Sequence, residues 1–245
     1  MEGTRHKNPL IIDEIHAVDW ASVPGPAGYY RSVAAQEGLE ALARARGHTE
    51  AASASSLLAG GGIVHDHSGT VLPAAVPATP LLLRIAREGH DAARPAVWEL
   101  VEDALSFRPW PGFVRAESGV RLCCAIAGHV HVRARALEEF GERSRPLLAS
   151  AEGHWRVDVA ESWAEGADTL LWGTVVGSPS ERPGAVELHT DSGVISVSTT
   201  IMECPATDEH APVCVRLVGV RVCGPLTGAA LYTASCGGHG PSASP

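Results

Sequence analysis

The run TLLWGTVVG at Thr169–Gly177 marks the point at which this chain changes from helical to strand-like sequence. It follows a turn residue at Gly166, and its β-branched and large apolar residues favour a strand. Four similar runs come after it, separated by Gly, Pro, Asp or Ser: AVELHT (185–190), VISVSTTI (194–201), VCVRLVGVRVC (213–223) and ALYTASC (230–236). The sequence therefore predicts five strands between residues 166 and 236.

The second and third runs predict a β-hairpin. Val186 and Leu188 alternate with polar residues, and the alternation resumes after the turn residues 191–193. Gly219 predicts a bulge that bends the fourth strand. Five bent strands resemble a small OB-like barrel, and we expect this module to cover the end of a helical region.

Upstream of Gly166 the apolar residues follow helical spacing. Val97, Leu100, Val101, Ala104 and Leu105 form an i, i+3, i+4, i+7, i+8 stripe, which predicts a helix with one face in the core and Asp91 as its N-cap. Trp155, Val159 and Trp163 recur every four residues, and we interpret them as one packed face of a later helix.

Upstream of Gly166 the dipeptide Gly-His occurs four times, at residues 47–48, 89–90, 128–129 and 153–154. The glycines are separated by 89−47 = 42, 128−89 = 39 and 153−128 = 25 residues. Intervals near 40 are typical of repeating units of two antiparallel helices. We expect each glycine to end a helix in a left-handed conformation and each histidine to be the first polar residue of the turn.

Two segments resemble HEAT repeats. VRARALEEFG (132–141) resembles the second helix of such a repeat, and HSGTVLPAAVPATPLLL (67–83) is similar to a pattern of bacterial HEAT-like proteins. The resemblance covers roughly residues 29–165. It implies an α-solenoid of about three helix pairs, whose concave face binds proteins, peptides or occasionally nucleic acid, and it implies no reaction.

The expected fold class is therefore α+β, with a helical region followed by a small antiparallel β domain. The expected divisions are an N-terminal extension (1–28), the HEAT-like region (29–165), the β domain (166–236) and a flexible tail (237–245).

Composition excludes several classes of function. Nineteen Lys and Arg against 28 Asp and Glu give a net charge of −9, which argues against general nucleic-acid binding. The apolar runs are shorter than the roughly 18 residues that a membrane span needs, and the polar N-terminus does not look like a secretory leader. We expect a cytoplasmic protein that does not enter membranes.

Two motifs resemble catalytic sequences without supporting context. LIIDEIH (10–16) resembles the Asp-Glu-x-His box of helicases, but Lys7 is the only lysine and a phosphate-binding loop is missing. No Gly-x-Ser-x-Gly elbow is present. Cys236 and His239 could act as nucleophile and base, but the Gly/Pro/Ser-rich tail is a poor mount for a catalytic pair.

Histidines and cysteines leave two possibilities for metal. In the segment His65-Asp66-His67, the two imidazoles could bind a metal ion together with one distant carboxylate, or the segment could simply form a polar helix entry with Ser68 or Thr70 as its cap. Cys204, Cys214, Cys223 and Cys236 lie in the β region and could be free, bridged or metal-bound, although no Cys-x2-Cys pair is present. We expect no cofactor.

These observations favour a non-catalytic recognition protein, an adaptor or an immunity-type binder of a protein or peptide. Its expected binding residues on the concave helical face are Arg84, Arg87, Arg94, Trp98, Arg133 and Arg135. The net charge is consistent with a basic partner, because complementary charge speeds association. The alternative is an enzyme of specialised metabolism with its active site around His65, Asp66 and His67, in a cleft between the helical and β parts.

Overall fold

The structure is a computed structural model that describes residues 8–178, 184–204, 211–222 and 224–234. It is mixed helix and sheet, as the sequence predicted. Contacts divide the chain into two compact units, Met1–Leu147 and Leu148–Pro245. The first is helical apart from a small sheet, and the second is built on a larger sheet.

The helices of the chain, in order, are α1 (Asn8–Ala17), α2 (Ser32–Arg44), α3 (His48–Ala59), α4 (Ala75–Glu88), α5 (Arg94–Ser106), α6 (Leu122–His131), α7 (Ala134–Glu138) and α8 (Arg145–Glu152). Short 3-10 turns occupy Asp66–Ser68, Asp91–Ala93 and Gly141–Arg143. A small sheet joins β1 (Val64–His65), β2 (Thr70–Val71) and β3 (Arg108–Pro109) in that order. β2 is antiparallel to β1 and parallel to β3.

Helix α4 lies at the centre of the helical unit. It packs against α1, α2, α5 and α6, and its Leu81, Leu82, Leu83 and Ile85 side chains are buried. α2 also packs on α3, and α3 on α5. The buried residues of α4 form one broad face, with Arg84, Arg87 and Glu88 on the opposite side. This broad face allows α4 to contact several helices at once.

Residues at the N-terminus belong to this core. Ile11 and Ile15 of α1 have no exposed surface, and Trp20 donates its indole N–H to the Ile15 carbonyl at 2.9 Å. The Asp-Glu-x-His stretch at residues 13–16 is therefore part of an amphipathic helix that packs on α2 and α4.

The predicted helix after Asp91 is confirmed as α5. All five residues of the predicted stripe are buried. Its N-terminus differs in detail, because Asp91–Ala93 form a 3-10 turn and the His90 ring accepts a bond from the Ala92 amide. Helix entry is thus capped by His90 instead of Asp91.

The prediction for the Gly-His glycines is only partly correct. Gly47, Gly89 and Gly153 lie next to helix ends, but Gly128 lies inside α6. None of the four has a positive φ; Gly89, for example, has φ −81°. Gly89 is needed for another reason, since a Cβ there would lie 2.5 Å from the Ile85 carbonyl oxygen.

The segment 132–141 is less regular than the HEAT resemblance implies. Only α7, five residues long, is α-helical, and Val132 of the predicted stripe is 73% exposed. Leu137 is buried, and Ser144 holds the end of α7 by donating to the Leu137 carbonyl at 2.6 Å.

The second unit holds a sheet of seven strands instead of the five that we predicted. The strands are β4 (Arg156–Glu165), β5 (Asp168–Val176), β6 (Val186–Thr190), β7 (Gly193–Val197), β8 (Thr200–Cys204), β9 (Pro212–Leu217) and β10 (Ala230–Thr233). Their order is β7-β6-β10-β4-β5-β9-β8, and every pair is antiparallel.

One additional strand is β4, where we predicted a helix. A spacing of four residues is even, so Trp155, Val157 and Val159 also share one face of an extended chain. All three are buried in the sheet core. A bulge between Val159 and Glu161 then reverses the alternation, which explains why Trp163 is 45% exposed.

The other additional strand comes from the run VISVSTTI, which forms both edges of the sheet. β7 pairs with β6 through the predicted hairpin turn, where Gly193 has φ +135°. β8 pairs with β9 at the opposite edge. Gly219 is in a turn that ends β9, with φ +69°, and is not a bulge within that strand.

The short link between the two edges shows that the sheet curls into a half-barrel. Three Cα–Cα steps from Val197 to Thr200 span at most about 11 Å. A flat sheet of seven strands would place its edges about 29 Å apart. The Thr200 hydroxyl also donates to the Gly184 carbonyl beside β6, at 3.0 Å. Apolar side chains on the concave side form the core, among them Leu171, Val213, Val215, Leu217 and Leu231.

In the described part of the chain, no helix combines the length and apolar character that crossing a membrane requires.

Candidate functional site

Arginines from two helical segments line one cavity of about 170 Å³ in the helical unit. Its wall consists of Leu83, Arg84, Arg87 and Glu88 from α4, and Arg133, Ala136, Leu137 and Phe140 from the segment around α7. We call this cavity the arginine pocket. Three arginines against one glutamate give the lining a positive charge, and the apolar side chains lie beside those charges.

Arg84 is held by carboxylates. It forms ion pairs with Glu14 of α1 and with Glu88, the latter at 3.2 Å. The hydrogen bond to Glu14 raises the pKa of Arg84, so its charge is permanent. Because its partners lie on α1 and α4, Arg84 forms a rigid side of the pocket.

Arg87 and Arg133 make fewer polar contacts within the protein than Arg84 does. Arg87 is exposed, and within the described residues it has no ion-pair partner. Arg133 is half-buried and uses Nη1 to donate to the His129 carbonyl at 3.2 Å. A guanidinium has five N–H donors, so both side chains keep donors for a ligand.

Phe140 is held on two sides. The guanidinium carbon of Arg94 lies 5.0 Å from the Phe140 ring centroid, and Trp98 meets the same ring edge-on at 5.4 Å. Arg94 also pairs with Asp91 at 2.9 Å and donates to the Ala86 carbonyl at 2.8 Å. These bonds occupy Arg94 as a support of the pocket wall.

Burial places Trp98 beneath the pocket surface. It is 6% exposed, and its indole Nε1 has no acceptor among the described residues. Trp98 therefore acts on the site through Phe140.

The predicted binding residues thus separate into three groups. Arg84, Arg87 and Arg133 line one pocket, Arg94 and Trp98 hold Phe140, and Arg135 is exposed outside the pocket lining. Sequence reasoning missed Phe140 and Glu88 as lining residues. The available signal was the spacing of Arg84, Arg87 and Glu88, which lie within about one helical turn of one another.

The second predicted site, His65-Asp66-His67, is a turn that points its side chains in different directions. His65 Nδ1 lies 2.8 Å from the Ser68 hydroxyl, and its ring meets Tyr29 edge-on at 5.5 Å. Trp110 completes this ring cluster, 4.2 Å from Tyr29 between centroids. His65 is thus held in an aromatic and hydroxyl environment, with Ser68 acting as the local cap.

Asp66 and His67 instead face a larger cavity of about 600 Å³. His48 and Ser55 of α3 and Glu99 of α5 also line it. All of its lining residues belong to the helical unit, so this cavity lies between helices. Burial raises the pKa of Asp103, and the nearby carboxylates of Glu99 and Asp66 raise it further.

The side chains of the His65-Asp66-His67 turn lie too far apart to bind one metal ion together. His67 Nε2 lies 3.9 Å from Asp66 Oδ1, and the two imidazole centroids are 6.0 Å apart. The ligand atoms of the three residues do not all lie within 4.8 Å of one another. They would have to move closer together to hold one ion.

Two of the four cysteines in the β region can be described. Cys204 and Cys214 are free thiols on neighbouring strands. Cys223 and Cys236 lie outside the described residues, as do His239 and the segment 237–245 for which we expect a flexible tail.

Comparison of the chain with protein-family models, with curated proteins and with solved structures finds no match.

Proposed function

We propose that this protein is a non-catalytic recognition protein that binds an acidic peptide segment of a protein partner at the arginine pocket. The observation that carries the proposal is the convergence of Arg84, Arg87 and Arg133 on one cavity that Leu83, Leu137 and Phe140 make apolar. Guanidinium groups bind carboxylates in a bidentate manner, and the neighbouring apolar wall suits an adjacent aliphatic group.

The size of the pocket favours a side chain over a free metabolite. Sites for drug-sized ligands are typically about 300–1,000 Å³, whereas this cavity has about 170 Å³. A single Asp or Glu side chain, or a chain-terminal carboxylate, is of suitable size. The rest of the segment would then lie across the exposed Arg87.

An acidic segment differs from the basic partner that net charge alone suggested. The pocket attracts anions locally, while the chain as a whole carries −9. Long-range steering therefore opposes the encounter, and we expect an association rate constant no higher than about 10⁵–10⁶ M⁻¹s⁻¹.

A HEAT-like solenoid remains part of the proposal. The packing of α2 on α4 and of α3 on α5 supports it, because stacked helix pairs make such contacts in solenoids. Roles as an adaptor or immunity protein and a cytoplasmic location are likewise proposals.

The test is selection from a displayed random-peptide library on the purified full chain. We expect enriched peptides with an Asp or Glu next to an aliphatic residue. Replacing Arg133→Gln should then weaken a selected peptide about tenfold to a hundredfold, since a charge-assisted hydrogen bond contributes about 1.5–3 kcal/mol. Arg135→Gln is the matched control, because Arg135 is on the same short helical segment but outside the pocket lining. Selection of basic peptides, or equal effects of the two substitutions, would refute the proposal.

A second candidate is an enzyme that uses the larger cavity. The observation that favours it is the presence of Asp66, His67, His48 and Glu99 around about 600 Å³. Imidazoles and carboxylates in one cavity can act as general acids and bases. The carboxylates also make the cavity suitable for a cationic small molecule.

A thermal-shift screen with amine-bearing metabolites tests this candidate. A compound that raises the Tm of the wild type, but not of Asp66→Asn or Glu99→Gln, would support it. Arg135→Gln should respond like the wild type. Absence of any such compound would leave the arginine pocket as the functional site.

A further inference from the structure

Cys204 and Cys214 are direct partners across the outer edge of the large sheet. β8 is the edge strand, and the two cysteines are paired in the register of β8 and β9. Opposite residues of antiparallel strands have Cα atoms about 4.5–5.5 Å apart. Disulfides need about 4.4–6.8 Å, so the backbone spacing is already suitable.

A bulge in β8 brings the two side chains to the same face. Met202 pairs with Val215 and Cys204 pairs with Cys214, so Glu203 is an extra residue in β8. Met202 packs against the sheet core. In a regular strand Cys204 would share the face of Met202, because side chains two residues apart point to the same side.

The neighbours of Cys214 show which face this is. Val213 and Val215 are in the core, so Cys214 between them is on the outer face. Arg216, two residues further on, is also on that face and donates to Glu203 Oε1 at 2.5 Å. The extra residue therefore turns both Glu203 and Cys204 toward the outer face.

We propose that Cys204 and Cys214 form a reversible disulfide site, which closes on reaction with a small disulfide of the glutathione class and ties β8 to β9. This site is independent of the arginine pocket and of the function proposed for it.

The difference in exposure between the two cysteines indicates which one reacts first with the small disulfide. Cys204 is exposed and Cys214 is 6% exposed. Burial raises the pKa of the Cys214 thiol, and Cys204 and Glu203 raise it further. Cys204 is thus the better first nucleophile.

The reaction balances without another reagent. The Cys204 thiolate attacks one sulfur of the small disulfide, forming a mixed disulfide and releasing one thiolate. The Cys214 thiolate then attacks the Cys204 sulfur and releases the second thiolate. The two cysteines lose two electrons and two protons, and the small disulfide gains them as two thiols.

Peptide mapping of the full chain tests the proposal. The chain is incubated with oxidised glutathione, alkylated, and cleaved after Glu203, Glu209 and Arg216. Residues 204–209 and 210–216 then form two peptides with one cysteine each. We expect them as a linked pair, lighter by two hydrogen atoms than the two reduced peptides together, and separated by dithiothreitol.

Controls distinguish this pair from other thiol reactions. Cys204→Ser and Cys214→Ala should each abolish the linked peptides, and circular dichroism should show that the variants remain folded. The double variant Cys223→Ser/Cys236→Ser should retain them. A stable glutathione adduct on Cys204, or linkage of Cys204 to another cysteine, would overturn the proposal.

Alkylation kinetics of the reduced protein provide a second measurement. We expect iodoacetamide to modify Cys204 about tenfold faster than Cys214. Faster modification of Cys214 would contradict the assignment of Cys204 as the attacking thiol.

Discussion

The guanidinium of Arg94 lies over the ring of Phe140, with 5.0 Å between the guanidinium carbon and the ring centroid. This contact joins the first turn of α5 to the residue that precedes the 3-10 turn Gly141–Arg143. Phe140 lines the arginine pocket, so Arg94 fixes one side of that pocket from outside it.

Replacing Arg94→Met should reduce the free energy of unfolding by about 1–2 kcal/mol. The substitution removes the contact with Phe140 and the bond to the Ala86 carbonyl, while it keeps an apolar chain of similar length. Urea unfolding measures the change. Arg135→Met is the control and should change stability by less than about 0.5 kcal/mol. Equal losses in the two variants would contradict a supporting role of Arg94.

Replacing Gly173→Ala in β5 should destabilise the sheet unit by about 2 kcal/mol or more. A Cβ at this position would lie 2.2 Å from the Asp158 carbonyl oxygen and 2.9 Å from Val157 Cγ1, both on β4. Gly153→Ala is the matched control, since a Cβ there has no atom within 4 Å. Thermal unfolding of both variants measures the difference, and a similar Tm for the two would argue against the close approach of β4 and β5.

The contribution of Asp168 to the stability of the sheet unit should be largest at pH values above 3.8, the pKa of this group in the unfolded chain. The Gly219 amide donates to Asp168 Oδ1 at 2.8 Å, and Arg216 pairs with Oδ2 at 3.3 Å. The amide first, and the guanidinium second, hold the pKa of Asp168 below its usual 3.8. A depressed folded pKa contributes stability that is present above pH 3.8 and is lost as pH falls through the lower folded value.

Urea unfolding of the wild type and Asp168→Asn at a series of pH values down to about 2 checks this sign. The wild type should lose more stability than the variant as pH falls below about 4, since the amide side chain of the variant does not titrate. Parallel pH profiles would show that Asp168 titrates alike in the folded and unfolded chains.

The Tyr30 hydroxyl should lose its proton at an unusually high pH, and this should reduce the stability of the fold at alkaline pH. Burial first, and the charge of Asp19 second, raise the pKa of Tyr30 from 10.0 to about 12. Its hydroxyl donates to the Trp20 carbonyl at 2.7 Å. The unfolded chain ionises at pH 10.0 and the folded chain only at about 12, so stability should fall between these values.

Ultraviolet titration of the wild type and Tyr30→Phe identifies this group by difference. The variant should lack the transition near pH 12 and lose less stability between pH 10.0 and about 12 than the wild type. A difference titration centred near pH 10.0 would contradict a buried phenol.

The sequence pattern of a short segment predicted the correct element where the tertiary contacts of that segment favour the same structure. The stripe of α5 is buried because five apolar residues at helical spacing can be covered together only on a helix. The β6–β7 hairpin formed as expected because alternation and a glycine turn specify the same register. In these cases the information lies within about a dozen residues.

Ambiguous patterns were resolved only by partners far away in sequence. Trp155, Val157 and Val159 fit either a helix or a strand, and pairing of β4 with β5 and β10 selected the strand. In the same way, VISVSTTI was interpreted as one strand. In the structure, the first half of this run pairs with β6 and the second half pairs with β9, so the Val197–Thr200 link connects the two edges of the sheet.

The sequence suggested which residue types form the candidate site, but not where in the fold they come together. Five arginines on amphipathic segments suggested a basic surface, and three of them line the arginine pocket. Which three depends on the packing of residues 133–140 near the end of α4, about fifty residues earlier in the chain. The His65-Asp66-His67 turn shows the same dependence, since Ser68 and Tyr29 draw His65 away from the cavity that His67 faces.

Composition and short-range periodicity alone determined that this chain has a helical part followed by a sheet, that its net charge is −9, and that α5 and the β6–β7 hairpin form. Tertiary structure decided that there are seven strands in a curled sheet, that α4 is central, and that Cys204 faces Cys214. The physical reason is the range of the interactions. Periodicity reports which face of an element is apolar, whereas strand order, bulges and pockets depend on which distant element covers that face.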